Sequence, residues 1–341
     1  MSKKLISICI PTYNGAKTIS KTLDSIIKNI DQFEDIREKL ELVITDDCSL
    51  DETGFVVEEY VGKFDYIKFF KNTKNLGMDE NFKRAALNAS GEYIWFSGQD
   101  DIFLDGSVRH ILDVIKDNEG IGLININFSQ YSEDKNAYNF KSMFENQSIN
   151  PSKIVYGKDL LFNNSEEYFE FFNDVPSFLP ATVMKREFWV TTENSEYIGT
   201  HFIQYATILL NMRSVKIAAV TSPLIHGLVP SSGWQTNGNK LFTIQLGEVK
   251  AQTLVYNDTR NPFPRKIYIE KKQFYFKHFL RVAIASRYYK FHLSKENIND
   301  LKFIYGNKLY YLYFFPILEL VRLTPYLFIK LLFVIKKSFI G

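Results

Sequence analysis

Four short apolar runs recur at the start of the chain: LISICI at 5–10, ELVIT at 41–45, YIKFF at 66–70 and YIWFS at 93–97. The segments between them carry apolar residues at helical spacing. After Lys17, residues Ile19, Leu23, Ile26, Ile27 and Ile30 share one face, which predicts an amphipathic helix over 16–30. Residues 52–62, 80–89 and 107–117 read as further helices, and IGLININ at 121–127 as another strand. Near-continuous apolar strands alternating with helices imply an α/β fold, with a mostly parallel, Rossmann-like sheet covered by helices on both faces. Such a sheet binds ligands beyond the carboxyl ends of its strands. Three of those ends are polar here: Pro11-Thr12-Tyr13, Asp46-Asp47 and Asp100-Asp101. Pro11 is expected to end its strand, and Asp79 to cap the helix over 80–89.

The chain has 341 residues, of which 45% are hydrophobic, enough for one large domain with additions or for two domains. A net charge of +2 argues against a nucleic-acid binder that relies on a basic field. The two cysteines, Cys9 and Cys48, sit in or beside apolar runs and are expected as buried free thiols. The opening MSKKLISICIPTYN has too short an apolar run for a signal peptide, so a cytoplasmic location is expected.

The expected division is 1–235, itself split into a ligand-binding half at 1–127 and an acceptor-side half at 128–235, followed by a helical region at 236–341. Residues 128–175 are rich in Asn, Ser, Tyr and Glu, while 176–226 recover a helix and strand pattern. The last eighty residues are aromatic and basic. Glu319, Arg322 and Lys330 interrupt their apolar character, and Pro316 and Pro325 break helices. No stretch there reaches the roughly 18 apolar residues of a spanning helix. Aromatics flanked by Lys and Arg suit a helix lying in the headgroup zone, on the inner face of the cell membrane.

Two adjacent carboxylates at a ligand-binding edge repel each other. Raising one pKa relieves this, and so does a divalent cation. Oxygen ligands select Mg²⁺ or Mn²⁺, which share their shells with substrate phosphates. A turn or helix cap is the plain structural alternative for either pair. Asp46 or Asp47 can accept from the N3–H of a pyrimidine or from ribose hydroxyls, and Asp51 is the better cap for the helix that follows.

Taken in order, SICIPTYNGAKTISKTLDSI, ELVITDDCSLDET and NLGMDENFKRAALNASGEYIWFSGQDD resemble the family-2 glycosyltransferases of the GT-A fold, typical of bacterial surface-polysaccharide synthesis. The resemblance spans about residues 5–120 closely and 176–235 loosely. It implies that Pro11, Thr12 and Tyr13 line a nucleotide base and that Asp46 or Asp47 binds it. Asn75, Gly77 and Asn81, with Arg84 nearby, match the family's donor-site turn and helix. Asp100 would contact ribose or sugar, and Asp101 would ligate Mg²⁺ or Mn²⁺. The donor implied is a nucleoside-diphosphate sugar, UDP- or CDP-linked by preference. The acceptor would be a glycan or a lipid-linked saccharide at the membrane surface.

Two departures stand out. Gly98 fills the first position of a strand end that the family often writes Asp-x-Asp-Asp. Cys48 replaces a frequent Gly, implying a turn that does not need a left-handed backbone. The family's Glu-Asp pair, which supplies the base of an inverting transfer, is also missing near YIGTHFIQYATILL. His201 stands in its place as the candidate base, with Asp174, Glu193 and Glu196 as alternatives. His226 is a candidate for completing the metal shell, and Trp234 for stacking on an acceptor sugar. The alternative function is a non-catalytic homologue that binds nucleotide or glycan as a scaffold.

Overall fold

The computed structural model describes residues 4–132, 137–139, 151–229, 238–261, 264–285 and 293–323. The chain divides into two compact units. One comprises Met1–Ser231 with Asp258–Pro262, the other Ser232–Asn257 with Phe263–Gly341.

The first unit is built on one curled, mixed sheet. Its strands are β1 (Ile6–Thr12), β2 (Leu40–Asp46), β3 (Ile67–Lys71), β4 (Tyr93–Phe96), β5 (Ile102–Phe103), β6 (Ile121–Ser132), β7 (Ala137–Asn139), β8 (Leu160–Phe162), β9 (Thr182–Lys185) and β10 (Lys216–Val229). Their order across the sheet is β3-β2-β1-β4-β9-β6-β10-β5, with β7 on β6 and β8 on β10. β1, β2, β3 and β4 run parallel, as do β6 and β10. β9 enters antiparallel between β4 and β6 and joins the two parallel halves.

Helices α1 (Ile19–Asp31), α2 (Glu34–Lys39), α3 (Thr53–Val61), α4 (Met78–Asn88) and α5 (Ser107–Asp117) connect the first half. α1 buries Ile19, Leu23, Ile26, Ile27 and Ile30 in the core that also holds Ile8, Ile10, Leu42, Ile44 and Trp95. Each such side chain contributes roughly 1.5–3 kcal/mol on burial. Shorter helices α6 (Ser165–Phe171), α7 (Glu187–Thr191) and α8 (Ile203–Asn211) belong to the second half.

Four local expectations need correction. Pro11 does not end β1 but lies within it, opposite Thr45. Cys9 O accepts from Ser97 N on the β4 side. Pro11, two residues on, faces that same side, where β4 has already stopped at Phe96 and no ladder donor is needed. Asp79 does not cap a helix over 80–89, because α4 starts earlier, at Met78, with Gly77 (φ 88°) as its N-cap. Cys48 has φ 61°, so its turn does use the left-handed backbone. Both thiols are free; Cys9 is buried as expected, whereas Cys48 is only partly so.

The second unit is helical: α9 (Gly238–Asn257), α10 (Arg265–Ala285), α11 (Lys295–Tyr305) and α12 (Phe315–Leu323), with a π-helical turn at Tyr310–Phe314. Phe242, Leu246, Val249, Phe279, Leu301, Ile304 and Phe314 form its core. Among the described residues, no helix is long and apolar enough to cross a membrane.

Candidate active site

Because β1, β2, β3 and β4 are parallel, their carboxyl ends meet at one edge, and the loops that leave them are tied to one another. Asn14 N donates to Ser49 Oγ at 2.8 Å, and Leu50 N to Asn14 Oδ1 at 2.9 Å. Gly15 N donates to Thr53 Oγ1 at 2.8 Å. Asp51 accepts from Thr53 N and Ala16 N, so it closes the start of α3 and holds the β1 loop as well. Gln99 is the tie that the sequence did not announce. Its Oε1 accepts from Thr12 Oγ1 and from Tyr13 N (3.0 Å), and its Nε2 donates to Tyr13 O at 3.2 Å. One amide side chain thus locks Thr12-Tyr13 to the Asp100-Asp101 loop. Tyr13 itself is 42% exposed and offers an aromatic face at this edge.

The first acidic pair is buried and already bonded. Asp46 accepts from Ser49 N and Ser49 Oγ. Asp47 Oδ1 accepts from Leu76 N (2.8 Å) and Asn72 Nδ2 (2.9 Å), and Oδ2 from Gly77 N (2.9 Å). Asn75 Oδ1 also accepts from Gly77 N, at 3.2 Å. Asn72 Nδ2 further donates to Asn81 Oδ1, Asn81 Nδ2 to Thr45 O, and Arg84 Nη1 to Asn72 Oδ1. The predicted Asn75, Gly77, Asn81 and Arg84 therefore form one network around Asp47 that joins β2, β3 and α4. A satisfied network of this kind fixes loop shape.

The second pair behaves differently. Asp101 is buried, and its Oδ2 accepts from Gly98 N at 2.7 Å. Asp100 is half-buried at the rim. The two carboxylates converge on the space beside Gly98: a β-carbon there would lie 2.6 Å from Asp101 Oδ2 and 3.0 Å from Asp100 Oδ1. Burial first, and the Asp100 charge second, push the Asp101 carboxyl up to about 8. Burial also raises Asp100. Two close carboxylates short of donors suit a hard cation, whose charge would restore their ionised forms.

His226 lies on β10, the strand that pairs with the short β5 following Asp101. The β5–β10 pairing sets it opposite Ile102, the residue after Asp101, and its Nδ1 meets Ser129 Oγ. Burial lowers its pKa, which favours the neutral imidazole a metal needs. Among the described residues, no three His, Cys, Asp or Glu side chains gather into a metal-binding cluster. A cation held here would rely on substrate or water oxygens for the rest of its shell.

Of the other predicted residues, His201 lies just before α8 with φ 69°. The carboxylate that holds its turn is Asp79, whose part there was not anticipated. Asp79 Oδ2 accepts from Gly199 N and His201 N, both at 2.8 Å, and Oδ1 from Ile203 N at 3.3 Å. Burial raises the Asp79 carboxyl, while those donors and His201 draw it back. Asp174 is buried and accepts from Tyr205 OH at 2.6 Å, a packing role. Glu193 and Glu196 are exposed. Trp234 lies outside the described residues.

Residues 7–174 match the family model described as "Glycosyl transferase family 2". The chain is 26% identical over 214 residues to the abequosyltransferase RfbV of Salmonella typhimurium, covering 58% of each chain. It is 29% identical over 169 residues to the GalNAc(5)-diNAcBac-PP-undecaprenol beta-1,3-glucosyltransferase of Campylobacter jejuni, covering 49% of this chain and 51% of that one. The chain thus spans between half and three-fifths of the length of these two relatives. The fold is similar to that of the mannosyltransferase PcManGT from Pyrobaculum calidifontis, solved with GDP-Man and Mn²⁺. The TM-score is 0.55 at 16% identity, over 94% of this chain and 87% of that one.

Proposed function

We propose that the chain, whose residues 7–174 match glycosyl transferase family 2, is a member of that family and moves a sugar from a nucleoside-diphosphate sugar to a glycan or lipid-linked acceptor, with inversion at the anomeric carbon, in surface-polysaccharide synthesis. The observation that carries the reading is the convergence of Asp100 and Asp101 beside Gly98, one loop from the exposed ring of Tyr13. The names of the Salmonella and Campylobacter relatives support the sugar-transfer chemistry, and the undecaprenol in the second supports a lipid-linked acceptor.

In this reading Thr12 and Tyr13, held by Gln99, border the nucleotide, and the Asp47 network keeps the 75–77 turn in place against it. Asp101, with His226, would hold Mg²⁺ or Mn²⁺. A bound cation there supplies positive charge to the diphosphate leaving group. Asp100, nearer the rim, accepts hydrogen bonds from ribose or sugar hydroxyls. The acceptor oxygen attacks the anomeric carbon from the face opposite the diphosphate. The bond from that carbon to the phosphate oxygen breaks, and its electron pair leaves with the diphosphate. His201 takes the acceptor's proton on an imidazole nitrogen. The helical region at 236–341 lies against the inner face of the membrane.

A panel of UDP-, CDP-, GDP- and dTDP-sugars, incubated with Mn²⁺ or Mg²⁺, tests this. Wild-type protein releases nucleoside diphosphate from at least one donor, and Asp101→Ala lowers that rate by about 100-fold or more. If the wild type neither takes up nor cleaves any member of the panel, the reading fails.

A further inference from the structure

Asp79 stands in the first turn of α4, where a carboxylate ordinarily serves its own helix. It serves a different one. Its two oxygens accept from Gly199 N, His201 N and Ile203 N, as far as 124 residues along the chain. The segment it grips is uphill for a free chain: Gly199 has φ 87° and His201 φ 69°, and the latter carries a β-carbon. Phe202, the N-cap of α8, brings no side-chain cap of its own. Asp79 therefore supplies from outside the acceptor that the entry to α8 lacks.

The other end of the same short piece of chain is gripped from the opposite direction. Asp47 holds Leu76 N and Gly77 N, and Asn81 is bonded to Asn72 and to Thr45 O. Only Met78 separates the second amide held by Asp47, that of Gly77, from Asp79, whose carboxylate holds 199–203. A shift of the 75–77 turn by a nucleotide must move the start of α4, and with it the anchor of the 199–203 turn.

We propose that Asp79 is a positioning residue that links occupancy of the nucleotide loops to the placement of the 199–203 turn, and so to His201. The proposal rests on the glycosyl-transfer reading and extends it: donor binding orders the segment that faces the acceptor.

Amide hydrogen exchange on the full chain tests the linkage, with UDP, CDP, GDP or dTDP plus Mn²⁺ as probes and calorimetry to register uptake. In the wild type, nucleotide slows exchange across 199–203 by about threefold or more. In Asp79→Asn, the amides of Gly199, His201 and Ile203 exchange about tenfold faster without nucleotide. Nucleotide no longer slows them, while its affinity stays within about threefold of the wild type. Asp79→Glu, which keeps the charge, restores part of the protection. Nucleotide uptake with no response at 199–203, or with an undiminished response in Asp79→Asn, overturns the linkage and leaves glycosyl transfer standing. Should Asp79→Asn not fold, the wild-type response and Asp79→Glu decide on the same terms. Absence of any uptake by the wild type overturns both.

Discussion

A β-carbon on Gly98 would lie 2.6 Å from Asp101 Oδ2 and 3.0 Å from Asp100 Oδ1, so the carboxylates occupy the space that a side chain at this position would need. Gly98→Ala is expected to turn both carboxylates outward and to weaken nucleotide uptake in the presence of Mn²⁺ by about tenfold or more. Calorimetric titration checks this, and an unchanged affinity would show that the gap is incidental. At this scale, residue identity was legible where chemistry dictates type, as in the two acidic pairs. It was not legible where the backbone decides. Nothing in the letters around Cys48 signals φ 61°. Nor do they show that Asp79 bonds a segment more than 100 residues away rather than its own helix.

Among the elements, α5 carries a titrating contact to the stretch before β8. His110 Nε2 lies 2.7 Å from Asp159 Oδ2. The hydrogen bond to Asp159 is the main cause that holds the imidazole pKa above its ordinary 6.5, against partial burial. A raised histidine stabilises the fold in its protonated form. Its contribution is complete below the unfolded value and fades as pH rises through the folded one. His110→Gln should therefore lower the unfolding temperature more at pH 5.5 than at pH 8.5. Equal losses at the two pH values would place the contact outside the energetics of folding.

β2 contributes a contrasting case. Burial raises Glu41, but hydrogen bonds from Lys68, Ser7 and Ser90 outweigh it and hold the carboxyl below its ordinary 4.5. That contribution is present above the unfolded value and lost as pH falls through the folded one. Glu41→Gln is accordingly expected to destabilise at pH 7 and progressively less toward pH 3, as thermal melts would show.

Apart from the short α2 and β5, which were not anticipated, the strands and helices of the first 120 residues were legible to within a few residues because their apolar periods are local. β9 was not, since its place between β4 and β6 is set by partners some 90 and 60 residues away. β6 and β10 outrun the apolar runs that announced them, reaching Ser132 and Val229.

On the scale of the whole molecule, the second unit carries the aromatic surplus of the sequence. Around its π-helical turn Tyr310 and Phe314 are buried in the core, while Tyr311 (53%), Leu312 (59%) and Phe315 (45%) are exposed. Lys302 stands beside Tyr311, donating to its hydroxyl at 3.3 Å. Exposed apolar side chains next to a cation match an anionic bilayer surface. Leu312→Glu combined with Phe315→Glu should abolish flotation of the full chain with anionic liposomes while nucleotide uptake is retained. Flotation that survives both charges would remove these residues from membrane contact.

The chain does not leave the first unit once and for all. After α9 it returns for Asp258–Pro262, and Arg213 Nη2 donates to Asn261 O at 2.6 Å before α10 begins. The helical unit is therefore threaded, not appended. A stop codon after Ser231 would deprive Arg213 of its acceptor, and a stop codon after Pro262 would leave α9 without the helices that cover it. Separating the two units by gene surgery calls for two deletions and a splice around five retained residues. A lineage that trades one such C-terminal unit for another faces the same constraint.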